Sequence, residues 1–349
     1  MTAQLDQAIK IEDGRPAGAH DLDQITAGPG ERTYGLILNF LLTTVLLALL
    51  VTVGISLGAG RQALWIVLIS ATFPITSLLV QSAIERLFTP AGPRKSLRSW
   101  LLHLNITILF YTLTSVTTVF AFLGSNALAN RFGFELGLFD IRFASGQGIL
   151  ILIGSMWLAA IVSDFFFYWY HRATHVIPLL WQHHKMHHSD QRLEAISSAR
   201  QNWIEAVFNA LFIAVPMIIL FKIDPMEQWE TGILAGMTAA FLNNFLTLSH
   251  MNVRWQVGWL SRFWCSPQMH RIHHSLEPEH IDRNFAFVFP MWDVIFGTYY
   301  QPKKDEFPST GVAGEDGFHS FWDAEIYSQR EMWKFVRSRK ANATAVTSG

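Results

Sequence analysis

Long apolar runs separated by short polar connections fill much of the chain. Leu36 to Leu57, Leu64 to Ile84, Leu101 to Leu123 and Ile149 to Tyr170 each reach the roughly 20 mostly apolar residues that a spanning helix needs. His103 and Asn105 lie near one end of the third run, and Asp164 falls in the last two turns of the fourth. Two further runs are shorter: Ala206 to Phe221, which carries Pro216, and Ile233 to Ser249. With only Lys222 to Gly232 between them, they either span as a tight hairpin or dip in and return. The pattern predicts an all-α polytopic membrane protein with four to six transmembrane helices.

From about Met251 the chain is more polar but keeps Trp255, Trp259, Phe263 and Trp264, so a helical cytoplasmic cap against the membrane surface is expected. Residues 1–34 are polar and acidic, with scattered Gly and Pro, and lack the basic start and apolar centre of a signal peptide. They read as a flexible tail, 338–349 reads as a disordered one, and 35–337 is the expected membrane-embedded domain.

Charge sets the orientation. The connection after the second run carries Arg86, Arg94, Lys95 and Arg98, while the first has only Arg61 and the third has Arg131 and Arg142. The positive-inside rule places 86–98 in the cytoplasm. Counting helices then brings His171, at the end of the fourth run, and His250, after the last, to that same side. An integral multi-pass protein with a cytoplasm-facing site is expected, in a bacterial inner membrane or the endoplasmic reticulum.

Composition narrows the chemistry. Half the residues are hydrophobic, 15% are charged, and Phe (27) and Trp (13) are abundant. A net charge of −1 excludes a nucleic-acid surface built on bulk charge. The single cysteine, Cys265, excludes intrachain disulfides, cysteine zinc sites and iron–sulfur clusters, so any metal must be held by nitrogen and oxygen. There is no Walker motif, no G-x-G-x-x-G and no repeat of 20–50 residues.

Eleven of the 14 histidines lie between His171 and His280, in repeating clusters. His171 and His175 form H-x-x-x-H, His184, His187 and His188 form H-x-x-H-H, and His270, His273 and His274 repeat the latter. Residues three or four apart share a helix face, so each cluster aims two or three imidazoles at one point. Imidazole suits iron, zinc, copper and nickel. Eight such ligands exceed what one ion takes, so two metals are expected.

The runs Tyr170 to His175, His184 to Ser189 and Pro267 to Ser275 resemble the three histidine boxes of the fatty acid hydroxylase/sterol desaturase superfamily. Asp282-Arg283-Asn284-Phe285, Pro290-Met291-Trp292-Asp293 and Phe296-Gly297-Thr298 are also similar to that family, and the likeness covers roughly Ser163 to Tyr300. It implies a non-haem centre of two iron ions that uses O₂ as co-substrate to oxidise a C–H bond of a lipid or sterol drawn from the bilayer. It also implies the eight box histidines as ligands, with His250 as a ninth because the family often has a histidine there. His183 points about 100° away from His184 on a helix and is either a further ligand or a neighbour of the site. His280 either completes the site or is solvated.

Metal-bound imidazoles commonly donate their other N–H to a carboxylate or carbonyl. Asp164, seven residues before His171, is the leading candidate for that role. Asp190, Glu194, Asp282 and Asn284 are weaker candidates, and Asn243 and Asn244 either meet substrate or bond across helices. Ser189-Asp190-Gln191 and Ala199-Arg200-Gln201 are similar to the branch that includes alkylglycerol monooxygenase, but the Leu expected between Ala199 and Arg200 is missing. That departure carries neither an ether-lipid substrate nor a pterin reductant over to this chain.

Hydroxylation is the leading expectation, with desaturation by the same centre as the alternative. A histidine-rich metal transporter would place ligands near the bilayer midplane and on both sides. A structural zinc scaffold would need only four ligands. No haem-binding, flavin or ferredoxin segment is evident, so a separate reductase, cytochrome, ferredoxin or small reductant is expected to supply electrons.

Overall fold

The computed structural model describes residues 11–12, 15–16, 60–139, 149–222, 229–255, 257–304, 306–313, 318 and 320–347. The apolar run Leu36 to Leu57 lies outside them. Apart from a short antiparallel ladder, β1 (Ile11–Glu12) with β2 (Arg15–Pro16), every named element among the described residues is helical. The fold is all-α, as the sequence predicts.

The helices are α1 (Gly60–Glu85), α2 (Leu97–Phe132), α3 (Ile149–Val176), α4 (Pro178–His188), α5 (Trp203–Leu220), α6 (Trp229–Ser249), α7 (Pro267–His273), α8 (Met291–Phe296) and α9 (Phe321–Thr347). Local chemistry sets their ends. Ser96 begins α2 by accepting the Ser99 N–H, and Gly133 ends it at φ 69, a left-handed conformation that glycine adopts without strain. Ile177 is extended because Pro178 follows it, which stops α3 and starts α4 at a proline. The Asn202 side chain accepts from the Ile204 and Glu205 N–H groups and opens α5.

Five helices close into a ring: α1 packs on α2, α2 on α5, α5 on α3, α3 on α6, and α6 returns to α1. A 3₁₀ turn, Ala195–Ala199, packs against α1, α2 and α6 at one end of that ring. Outside it, α4 lies against α3 and α9. One core cluster joins Ile106 and Leu109 of α2 to Met186 of α4 and Phe321, Ala324 and Tyr327 of α9. Another packs Ala160 of α3 against Phe287, Val288 and Phe289, with Trp157, Phe241 and Trp264 around it.

Phe73, Val80, Leu150, Leu158 and Phe212 are large apolar side chains left exposed on α1, α3 and α5. By length and composition, two described helices, α2 and α5, can cross a membrane. At 36 residues, α2 extends about 54 Å, well beyond the roughly 30 Å of a hydrocarbon core.

The charge pattern needs one correction. Lys95 is buried, with its ammonium 2.8 and 2.7 Å from the two oxygens of Asp190. Only Arg86, Arg94 and Arg98 of that connection remain outside the interior.

Candidate metal centre

The ends of α3, α4, α6 and α7 meet at one place. His171 and His175 lie in the last turns of α3, and α4 carries His184, His187 and His188. His250 directly follows α6, and α7 carries His270 and His273 with His274 as its cap. All nine are at most 4% exposed.

Their ring nitrogens form two sets. His171, His175, His184, His188 and His273 make one, and His187, His250, His270 and His274 make the other. The sets touch where the His188 and His274 rings stack at 4.3 Å. Each H-x-x-H-H box therefore divides between the sets. The i, i+4 pair His184 and His188 faces the first set and His187 the second, while His270 and His274 face the second and His273 the first.

Nitrogen spacing and tautomers both fit bound metal. His171 Nδ1 donates to the Phe285 carbonyl at 2.7 Å, and His184 Nδ1 donates to Glu205 Oε1 at 2.6 Å. In a neutral ring held this way, Nε2 carries a lone pair rather than a proton. Yet those two Nε2 atoms lie 3.0 Å apart, and His188 Nε2 is 3.2 Å from that of His184. Facing lone pairs at this distance repel unless a cation sits among them. In the second set His250 Nδ1 lies 2.8 Å from the Leu246 carbonyl, leaving Nε2 to face its neighbours. It is 3.3 Å from His187 Nε2 and 3.1 Å from His270 Nε2, which is 3.1 Å from His274 Nε2. A metal–nitrogen bond of about 2.1 Å gives neighbouring ligands separations of about 3.0 Å (octahedral) to 3.4 Å (tetrahedral), which brackets these contacts. His273 Nδ1 is held by the Arg283 carbonyl at 2.9 Å, and its buried Nε2 has no hydrogen-bond partner.

Burial, reinforced by neighbouring imidazoles, holds His187, His188, His270 and His274 well below the ordinary imidazole range. His273 is pushed down to about 3, again chiefly by desolvation. These rings are neutral at physiological pH and present the lone pairs a metal requires.

Glu205 is the partner that sequence reading missed. It lies in the first turn of α5, at the positive end of the helix dipole, and is buried against His184. The signal was present: a lone carboxylate at the head of an apolar run calls for a partner.

Asp164, proposed for that role from sequence, does not touch an imidazole. Its Oδ1 accepts the N–H groups of Phe287 and Val288 at 3.1 Å each, and Oδ2 accepts that of Phe289 at 2.9 Å. Seven residues along a helix is about 10 Å, too far for its carboxylate to reach His171's ring. Asp293 similarly holds the Phe285 and Ala286 N–H groups. Together they shape the 285–289 stretch whose Phe285 carbonyl orients His171, so Asp164 acts through backbone.

Asn284 is tied into the backbone around box three. At φ 57 it donates to the Met269 and Tyr300 carbonyls and accepts the Tyr300 N–H. Asp282, at φ 59, approaches His175 Nδ1 to 3.9 Å. Asn244 bonds across helices to Ser77 and Gln81 of α1, and Asn243 bonds back to its own helix at Ala239. His183 and His280 lie outside both sets.

The residues after box two brace it. Arg200 donates to the Met186 carbonyl at 3.0 Å and the Ser189 hydroxyl at 2.8 Å, closing the C-terminal end of α4. Although burial alone would raise it, Asp190 is held well below the usual carboxylate range by Lys95 and Arg200. Glu194 accepts the Lys95 N–H and caps the Ala195–Ala199 turn.

Residues 156–298 match the fatty acid hydroxylase family model. An ornithine lipid hydroxylase of Rhizobium tropici is 28% identical over 158 residues, 45% of this chain and 45% of its own. Alkylglycerol monooxygenases are 27% identical in Danio rerio, over 51% of this chain and 37% of theirs, and 28% in Homo sapiens, over 41% and 30%. The match thus spans less than half the length of each of these relatives. No solved structure matches the chain. By this match and these relatives, the segment that carries all nine converging histidines is similar to the fatty acid hydroxylase family.

Proposed function

We propose that this chain is a membrane-embedded lipid hydroxylase whose two histidine sets each hold one iron ion. The observation that carries the reading is the pair of adjacent, buried, all-imidazole sets, with lone pairs converging at ligand-to-ligand distances. When bound, the two irons would activate O₂ to oxidise a C–H bond. The protein's own contribution is positional. Glu205 and the Phe285, Arg283 and Leu246 carbonyls fix which nitrogen of His184, His171, His273 and His250 faces inward. Burial keeps bulk water out. Five imidazoles in one set and four in the other leave positions open on a six-coordinate ion.

Relatives named as a lipid hydroxylase and as monooxygenases favour hydroxylation over desaturation. A lipid reaching the site from the bilayer and a separate electron donor complete the proposal. Membranes containing the protein, supplied with a reductant and isotopically labelled O₂, should yield a lipid carrying one labelled oxygen. Loss of two hydrogens without oxygen gain would replace hydroxylation by desaturation, and no oxygen-dependent lipid change would overturn the enzyme reading.

We also propose four to six spans with the site toward the cytoplasm. The α1–α2 connection is bound to the box-two region through Lys95–Asp190 and through Arg192 to the Arg94 carbonyl, which supports a shared side for the basic residues and the histidines. A one-sided site also disfavours a transporter. The native Cys265 is buried, so introduced thiols can be read against it. In intact cells, a thiol at Phe134→Cys, beyond the far end of α2, should react with an impermeant reagent, while Lys303→Cys should be protected. The opposite labelling would reverse the orientation.

A further inference from the structure

Beyond the nine imidazoles, the loop after box three gathers a separate group: Glu277, Glu279, His280 and Glu306, each offering a ligand atom within 4.8 Å of the others. Clustered surface acids alone signify little. What distinguishes this cluster is His280, whose side chain is fully buried and whose Nε2 has no hydrogen-bond partner. Nδ1 of the ring lies 2.8 Å from the Ser275 hydroxyl, which also accepts the Glu277 N–H. With Nδ1–H donating to Ser275, Nε2 presents a lone pair toward carboxylates. It lies 3.3 Å from Glu306 Oε1, off the line of a hydrogen bond but at the spacing of two ligands on one ion. Glu277 Oε2 stands 3.8 Å from the other ring nitrogen, so its side chain is close to hand.

Glu306 is positioned before any ion arrives. Tyr300 donates its hydroxyl to Oε1 at 2.9 Å, and the Lys303 N–H reaches Oε2 at 2.8 Å. The Lys303 ammonium is 3.8 Å from Oε1 on a side chain 74% exposed, so it can turn to solvent when a cation takes its place.

We propose that this cluster is a third cation site, separate from the paired histidine sets. Its donor set, one imidazole with carboxylates, suits a divalent first-row ion such as manganese, iron(II) or zinc. The ion would join the turn Pro278–His280 to Glu306. The Arg283 carbonyl that holds His273 follows three residues after that turn, so the third ion would brace the approach to the paired centre.

Zinc is the probe. The full chain and the double variant Glu277→Gln, Glu279→Gln would be saturated with zinc, desalted, and analysed for metal per chain. These two side chains reach solvent, so the variant is expected to fold, and circular dichroism checks that it does. The unaltered chain should retain one zinc more than the variant, and His280→Gln should lose the same equivalent. Because the readout is a difference of one ion, it holds whatever the nine imidazoles bind. Equal zinc in all three proteins would overturn the third site and leave the paired centre untouched.

Discussion

Replacing His187 with alanine should lower bound iron from two ions per chain toward one and reduce C–H oxidation more than about 100-fold. The reason is the way box two divides. His187 is one of four donors in its set, and His183, four residues earlier on α4, lies outside that set. His184→Ala should empty the other set instead, and it also strands the Glu205 carboxylate, which is buried with His184 as its hydrogen-bond partner. Glu205→Gln keeps the shape but loses the charge, and outer partners of this kind typically contribute roughly 10–100-fold to metal affinity or activity. Iron quantification alongside turnover separates the three variants. A His187→Ala protein with two irons and full turnover would refute the assignment of His187 to a metal.

Asp164→Asn should destabilise the fold by roughly 2–5 kcal/mol, because an amide cannot accept three backbone N–H groups and turns its own N–H₂ toward at least one of them. The affected groups, at Phe287, Val288 and Phe289, are buried and sit beside the Phe285 carbonyl that orients His171. Folded yield, thermal unfolding and metal retention should therefore decline together. An Asp164 that instead held an imidazole would give lost activity in an otherwise sound protein on replacement by Asn. If the variant unfolds at the unaltered temperature yet turns over slowly, Asp164 contacts the chemistry after all and the structural account is wrong.

Much of the site was legible because its chemistry is concentrated in short helical motifs. H-x-x-x-H and H-x-x-H-H declare which imidazoles share a helix face, and nitrogen donors without competing thiolates narrow the metal chemistry. What a one-dimensional spacing cannot show is which of two targets each imidazole meets. The division of His184 and His188 from His187, and of His270 and His274 from His273, follows from helix ends crossing between two points. Partner assignment failed for a similar reason. Asp164 was placed near His171 by helix periodicity, but two turns separate them, whereas Glu205 is 21 residues from His184 and adjacent to it in space.

Apolar periodicity by itself determined that this chain is helical and where most of its described helices lie, since the length of each run and the breaks at Ser96, Gly133, Pro178 and Asn202 are local properties. Residue type determined the donor chemistry. Tertiary structure alone decided the ring closure of α1, α2, α5, α3 and α6, the burial of Lys95 against Asp190, and the backbone role of Asp164. It also decided the separation of His280 from the paired sets. Each of these depends on which groups from distant segments share a low-dielectric interior, where an unpaired charge or N–H is too costly to leave alone.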